Sequence, residues 1–171
     1  MMLAHIYEQD GDVSKACEEI QDMHVETYGS LSKLEKCAYI NEQVRLNLRN
    51  KDYIRACIHS RKMNRKTVDE KAFADVKLGY YTLMIEYHLH ERELRDLATC
   101  FEKLFEINSD STFEDATRWQ TAISSLEAAV IFFVLSPHSS DRTASLSKIL
   151  TGPSFTKHVD RCIPLHWPRS F

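Results

Sequence analysis

Proline is missing from the first 136 residues, and all four prolines of the 171-residue chain (Pro137, Pro153, Pro164, Pro168) come after them. Glycine is equally scarce, with isolated residues at 11, 29, 79 and 152. Sandwiches and barrels mark their turns with these residues and nucleotide folds cluster glycines around phosphate, so the scarcity argues against both and for long helices. No pair among Cys17, Cys37, Cys57, Cys100 and Cys162 has the two-residue spacing of a zinc knuckle or redox site, and five is an odd number. They read as free, mostly buried thiols in a reducing compartment, with no metal or other cofactor. The most apolar stretch, Ala128 to Leu135, is far shorter than the roughly 20 residues of a membrane span. The N-terminus reaches Glu8 before any long apolar core and no Asn-x-Ser/Thr sequon occurs, so a soluble intracellular protein is expected. An excess of one charge is lacking too: 25 acidic against 22 basic residues give a formal charge of -3, which rules out a generally basic nucleic-acid binder.

What is present is helical periodicity. Between Leu34 and Leu48, Cys37, Ile40, Val44 and Leu48 recur at three and four, with Glu35, Glu42, Arg45 and Arg49 mostly elsewhere. From Phe73 to Leu89 one stripe is Phe73, Val76, Tyr80, Leu83 and Tyr87, and a second is Leu78, Tyr81, Ile85 and Leu89, which predicts a helix packed on both sides. Trp119 to Leu135 is similar, with Ile123, Leu126, Val130, Phe133 and Val134 interleaved with Ala122, Ala129 and Ile131. Gly11-Asp12, Asn50-Lys51-Asp52 and His90-Glu91-Arg92-Glu93 separate helices, and Gly29 is expected to close a helix running from Val13 to about Thr27. Ser109 to Thr112 offers an N-cap for the long helix after it.

These turns recur about every 40 residues, each followed by a helix with Ala16, Ala56 or Ala98 near its start. The expected fold is therefore all-α: a solenoid of about eight helices in antiparallel pairs of TPR-like or PCI type, over residues 1–150. An irregular tail, 151–171, carries the remaining prolines and no periodicity.

Chemistry is hard to find. There is no nucleophile elbow and no His-Glu-x-x-His pair, and His88, His90 and Glu91 read as a polar helix end. Paired carboxylates such as Glu18-Glu19 read as a solvated face, and the aromatics Tyr80, Tyr81, Phe101, Phe105, Trp119, Phe132 and Phe133 as core. No catalytic residue is assigned, and the chain is expected not to be an enzyme. The basic run Arg61, Lys62, Arg65 and Lys66 stands out, with four charges in six residues. It fits a helix C-terminus, an acidic partner surface or nucleic-acid phosphate, although no aromatic platform is interleaved with it.

Several strings carry a resemblance. They are Val25-Glu26-Thr27-Tyr28-Gly29-Ser30, Glu42-Gln43-Val44-Arg45-Leu46 with Lys51-Asp52-Tyr53-Ile54-Arg55, and Lys77-Leu78-Gly79-Tyr80-Tyr81-Thr82-Leu83-Met84-Ile85. Trp119-Gln120-Thr121-Ala122 and Phe133-Val134-Leu135-Ser136-Pro137 follow in order. Over residues 3 to 150 the chain resembles the 26S proteasome non-ATPase regulatory subunit 12 family, lid subunits built from helical repeats followed by a PCI domain. The resemblance implies a non-catalytic scaffold of the regulatory particle in ubiquitin-dependent protein catabolism, cytoplasmic and nuclear. Its implied partners are other lid subunits, the ATPase ring and the core particle, with no nucleic acid and no membrane. The sequence is expected to hold the middle repeats without the winged-helix part. Candidate partner contacts are Lys51, Asp52, Tyr53 and Arg55 at one turn and Arg61, Lys62, Arg65 and Lys66 in the basic run. The alternatives are the related PCI subunit of the COP9 signalosome and a nucleic-acid-binding helical repeat.

Overall fold

The structure is a computed structural model that describes residues 2–21, 23–25, 28–63, 73–109 and 116–152. Among the described residues there are eight helices and no strand. They are α1 (Met2–Gln9), α2 (Val13–Gln21), α3 (Lys33–Arg49), α4 (Tyr53–Arg61), α5 (Ala74–Glu91), α6 (Leu94–Asn108), α7 (Ala116–Leu135) and α8 (Ser140–Thr151). The all-α class of paired helices expected from periodicity is the observed one. The chain divides into two compact units, Met1–Arg92 and Glu93–Phe171. The expected N-cap segment from Asp110 to Thr112, and the tail beyond Gly152, lie outside the described residues.

In the first unit α1 packs on α2 and α3 on α4, while α3 also meets α2 and α5. Helix α3 begins with a capping box: the Glu35 N–H donates to Ser32 Oγ at 3.2 Å and the Ser32 N–H to Glu35 Oε2 at 2.8 Å. The predicted stripe Cys37, Ile40, Val44 and Leu48 is buried, and so is a second one of Tyr39, Gln43, Leu46 and Asn47. Burial on two faces makes α3 the centre of this unit. Helix α5 buries Tyr80 and Met84 fully, but Val76, Leu78, Tyr81, Leu83, Ile85 and Tyr87 are half-buried and Leu89 is exposed.

The turns are built alike. Gly11 (φ 86°) and Lys51 (φ 59°) adopt the left-handed conformation that ends a helix, and the next residue, Asp12 or Asp52, starts the following one. In both, two backbone bonds close the turn: Gly11 N–H to Glu8 and Asp12 N–H to Tyr7, then Lys51 N–H to Leu48 and Asp52 N–H to Asn47. Each Asp also accepts from a backbone N–H three residues on, Lys15 at 3.1 Å and Arg55 at 3.0 Å. After α5, Arg92 (φ 60°) takes the same conformation and Glu93 the same place. Four residues beyond each start lie Ala16, Ala56 and Leu97, all at 1% exposure or less. The third small residue is therefore offset: by position Leu97, not Ala98, is the equivalent of Ala16 and Ala56.

Helix α2 is shorter than expected. It stops at Gln21 instead of running to Thr27, because a side chain of α3 takes its end: Gln43 Nε2 donates to the Ile20 carbonyl at 2.8 Å and to the Met23 carbonyl at 3.2 Å. The chain then turns, and Val25 enters the core at 1% exposure.

In the second unit α6 packs along α7, and α8 rests on α7. Its core joins Ala98, Leu126, Phe133 and Ile149, with Phe105, Val130, Phe132 and Leu146 against it. Phe101 and Phe132 stack with centroids 5.7 Å apart. Ala122 and Ala129 are completely buried, which lets α6 approach closely. Val134, expected in the core stripe, is 55% exposed. The buried face of α7 runs through Ala122, Leu126, Ala129 and Phe133, and Val134 lies about 100° round the helix from Phe133.

The caps give a direct check. Ser32→Ala removes the capping box and is expected to lower stability by about 1 kcal/mol. Lys51→Gly relieves a left-handed lysine and is expected to raise it by about 0.5–1 kcal/mol, both read by denaturant melts.

Candidate functional site

The candidate contacts fall at the two ends of α4. At its start, Lys51 is exposed at the left-handed turn position, and Asp52 is the N-cap. The Asp52 carboxylate is committed within the chain, through the Arg55 N–H and an ion pair to Arg55 Nε at 3.4 Å. Tyr53 stacks face to face on His90, with centroids 3.5 Å apart and planes 7° from parallel, and so joins the start of α4 to the end of α5. His90 is fixed in turn by Glu91 Oε1, 3.0 Å from its Nδ1. The polar helix end at His88 to Glu91 thus has a structural task in addition to closing a helix.

At the other end, Arg61 is the last residue of α4 and exposed, and Lys62 is its half-buried C-cap. Cations there complement the negative end of the helix dipole. Eight steps of 1.5 Å separate Tyr53 from Arg61, so the two sets are about 12 Å apart along one helix. Arg65 and Lys66 lie outside the described residues. Between the two ends the outer surface of α4 presents Ile54, 77% exposed, and Ile58, 54% exposed, neither singled out by the sequence reading as a surface.

A charge network around a largely covered carboxylate was also not foreseen. Arg45 forks onto both oxygens of Glu8 at 2.7 Å and onto Glu42 at 2.8 and 2.7 Å, and Arg49 adds a further bond to Glu8. The Glu8 side chain is only 8% exposed. The Arg45 hydrogen bonds, helped by Arg49 and opposed by desolvation, hold its carboxyl at about 2 instead of the usual 4.5. In the second unit Lys148 reaches Glu102 at 2.8 Å and Glu106 at 3.1 Å, and Lys103 pairs with Glu106 at 2.7 Å. These hydrogen bonds raise the Lys148 ammonium and, against the cost of burial, lower the Glu106 carboxyl. Both networks join helices that are not neighbours in sequence, and periodicity carries no sign of such pairs.

Among the described residues no group of three or more His, Cys, Asp or Glu could hold a metal ion, and no helix is long and apolar enough to cross a membrane. Cys17, Cys37, Cys57 and Cys100 are not in disulfides, and burial pushes the Cys17 and Cys37 thiols up, away from reactive thiolate. A groove of about 410 Å³ is lined, among the described residues, by Met23, Val25, Tyr28, Leu31, Tyr39 and the single carboxylate Glu35.

Repeated helix pairs with shared turn geometry define an all-α helical-repeat protein. Residues 1–111 match the family described as PSMD12/CSN4, N-terminal, and the chain belongs to that family. It is 32% identical over 147 residues to the 26S proteasome non-ATPase regulatory subunit 12 of Dictyostelium discoideum, covering 86% of this chain and 32% of that protein. Homolog B of the same subunit in Arabidopsis thaliana is 34% identical over 182 residues, 93% of this chain and 40% of that protein. The 26S proteasome regulatory subunit RPN5 of Saccharomyces cerevisiae is 31% identical over 147 residues, 86% and 32%. The chain thus spans about a third to two fifths of the length of these relatives.

The Glu8 network has a measurable pH signature. A carboxyl held below its unfolded value stabilises the fold above about pH 4.5, and that stability is lost as pH falls toward 2. Glu8→Gln is expected to cost about 1–2 kcal/mol at pH 7, allowing for the exposure of both arginines, and to flatten the loss between pH 5 and 2 in urea melts.

Proposed function

We propose that the chain acts as a non-catalytic scaffold in the lid of the proteasome regulatory particle, within ubiquitin-dependent protein catabolism. One observation carries this reading: the family match over residues 1–111, with relatives that bear the name of a proteasome regulatory subunit. The fold is compatible with it, because helix pairs offer long faces and exposed turns for other proteins. Those relatives favour the proteasome over the signalosome, and an overall charge of -3 gives nucleic acid no generally basic surface beyond the one basic run. Neighbouring lid subunits, the ATPase ring and the core particle are the proposed partners, in cytoplasm and nucleus.

The proposed contacts are the two ends of α4. Lys51 and Arg55 flank the Asp52 cap, and Arg61 and Lys62 open the basic run that continues to Arg65 and Lys66. Asp52 and Tyr53 serve mainly by holding the turn in place, since the first is capped onto Arg55 and the second stacked on His90.

Reversing Arg61, Lys62, Arg65 and Lys66 to glutamate is expected to weaken co-purification of the tagged chain with proteasome subunits at least tenfold and to leave its helical circular dichroism unchanged. Undiminished co-purification removes the basic run from the interface. Absence of proteasome subunits from the unaltered chain's pull-down overturns the scaffold reading itself.

A further inference from the structure

The common turn geometry puts α2, α4 and α6 in one register. Counting from Asp12, Asp52 and Glu93, the second residue on is Ser14, Ile54 or Arg95, and the sixth is Glu18, Ile58 or Thr99. All six are exposed. Where α2 and α6 meet solvent with serine, glutamate, arginine and threonine, α4 alone meets it with two isoleucines, at 77% and 54% exposure. The fold does not ask for them, because the equivalent positions of the other two helices are polar. Both lie four residues apart on one face, the spacing at which side chains on a helix stand side by side.

Within α4 itself the charge beside this pair has one sign. Helix α4 contains no Asp or Glu; Arg55 and Arg61 each stand three residues from Ile58 along the helix, and Lys51, in the turn that leads into it, precedes Ile54 by three. The acid at the N-cap, Asp52, is committed to the cap and to Arg55, and among the described residues neither Lys51 nor Arg61 pairs with an acid. An anionic lipid surface fits poorly, since Ala56, His59 and Ser60 on the other side are buried and the apolar patch is a single turn wide. A ridge of two branched side chains with cations at both ends matches the groove of a helix that carries apolar residues three or four apart with carboxylates beside them.

We propose that the outer face of α4 docks an acidic amphipathic helix of a partner protein, with Ile54 and Ile58 as apolar anchors and Lys51, Arg55 and Arg61 as the charged rim. The proposal rests on reading α4 as a contact element and adds what it contacts. Binding at this surface weakens with salt only in part, because the anchors are apolar and only the rim is screened.

The test places a photo-crosslinking amino acid at position 58 of the tagged full chain in cells, with position 99 on α6 as the control, and sequences the linked peptides. The expected result is a link from 58, absent from 99, to a segment rich in Asp and Glu with apolar residues at three- and four-residue spacing. The double variant Ile54→Ser, Ile58→Thr, carrying residues that α2 and α6 already expose, is expected to lose that partner at least tenfold with unchanged circular dichroism. Linkage to a basic or apolar-free segment, no linkage at 58, or undiminished binding by the double variant overturns the proposal. Proteasome subunits are scored in the same samples. Their co-purification without a link from 58 sinks the docking surface alone, and an acidic segment linked in their absence sinks the scaffold reading alone.

Discussion

Gln43 sits at 0% exposure in the middle of α3, and its amide nitrogen holds the Ile20 and Met23 carbonyls at the end of α2. The last carbonyls of any helix lack partners within it, and a helix that ends in a core must find them elsewhere. A side chain fixed on the neighbouring helix does this at one register only. Around it side chains hold further carbonyls, within α3 and across to its neighbours. Cys17 Sγ donates to the Leu46 carbonyl at 3.2 Å, and Asn47 Nδ2 donates to the Gln43 carbonyl at 2.7 Å. Asn41 Nδ2 donates to the Val76 carbonyl at 2.8 Å and ties α3 to α5. Apolar burial would hold these helices together in many registers, since it has no direction, and the buried amides choose among them.

The ion pairs extend this control to α1 and to the second unit. Arg45 lies two residues beyond Gln43, on a different face of α3, where it meets Glu8 of α1 as well as Glu42 of its own helix. A fork with two parallel bonds fixes angle as well as distance, which a lysine could not do. Glu102 and Glu106 lie four apart on α6 and converge on Lys148 of α8, with Glu102 buried. In each unit a charge from a distant helix is set on a prepared pair of opposite sign. A paired helical stack has few long-range backbone bonds, so side chains must supply the registry that a sheet would obtain from its ladder.

Much of the fold was legible because α3, α5 and α7 carry strong three-and-four periodicity and because Gly11-Asp12 and Asn50-Lys51-Asp52 mark the turns between helices. What escaped were the features that depend on a second helix. Nothing in the run from Val13 to Thr27 shows that Gln43 will end it at Gln21, and Gly29 is a reasonable stop for a helix considered alone. Val134 reads as core by period and is exposed because the face of α7 that meets α6 is set by Ala122 and Ala129. The candidate site was legible in part. Charge density marked the ends of α4, but the uses of Asp52 and Tyr53 within the chain appear only when Arg55 and His90 are seen beside them.

The turn between α3 and α4 shows how fold and surface share one short string. In Lys51-Asp52-Tyr53-Ile54-Arg55, Lys51 provides the left-handed turn, Asp52 caps the helix and Tyr53 clamps it to His90. Those three tasks are internal, and Gly11 and Asp12 perform the first two at the preceding turn with different flanking residues. Ile54 has no such task. Its side chain contributes little to the core, and branched apolar groups left in water gain nothing for the folded state over the unfolded one. Internal repetition therefore separates what the backbone geometry requires from what it merely carries. Residues required by the turn recur with the turn, and a residue that breaks the polar pattern at a single repeat is explained by something outside the repeat.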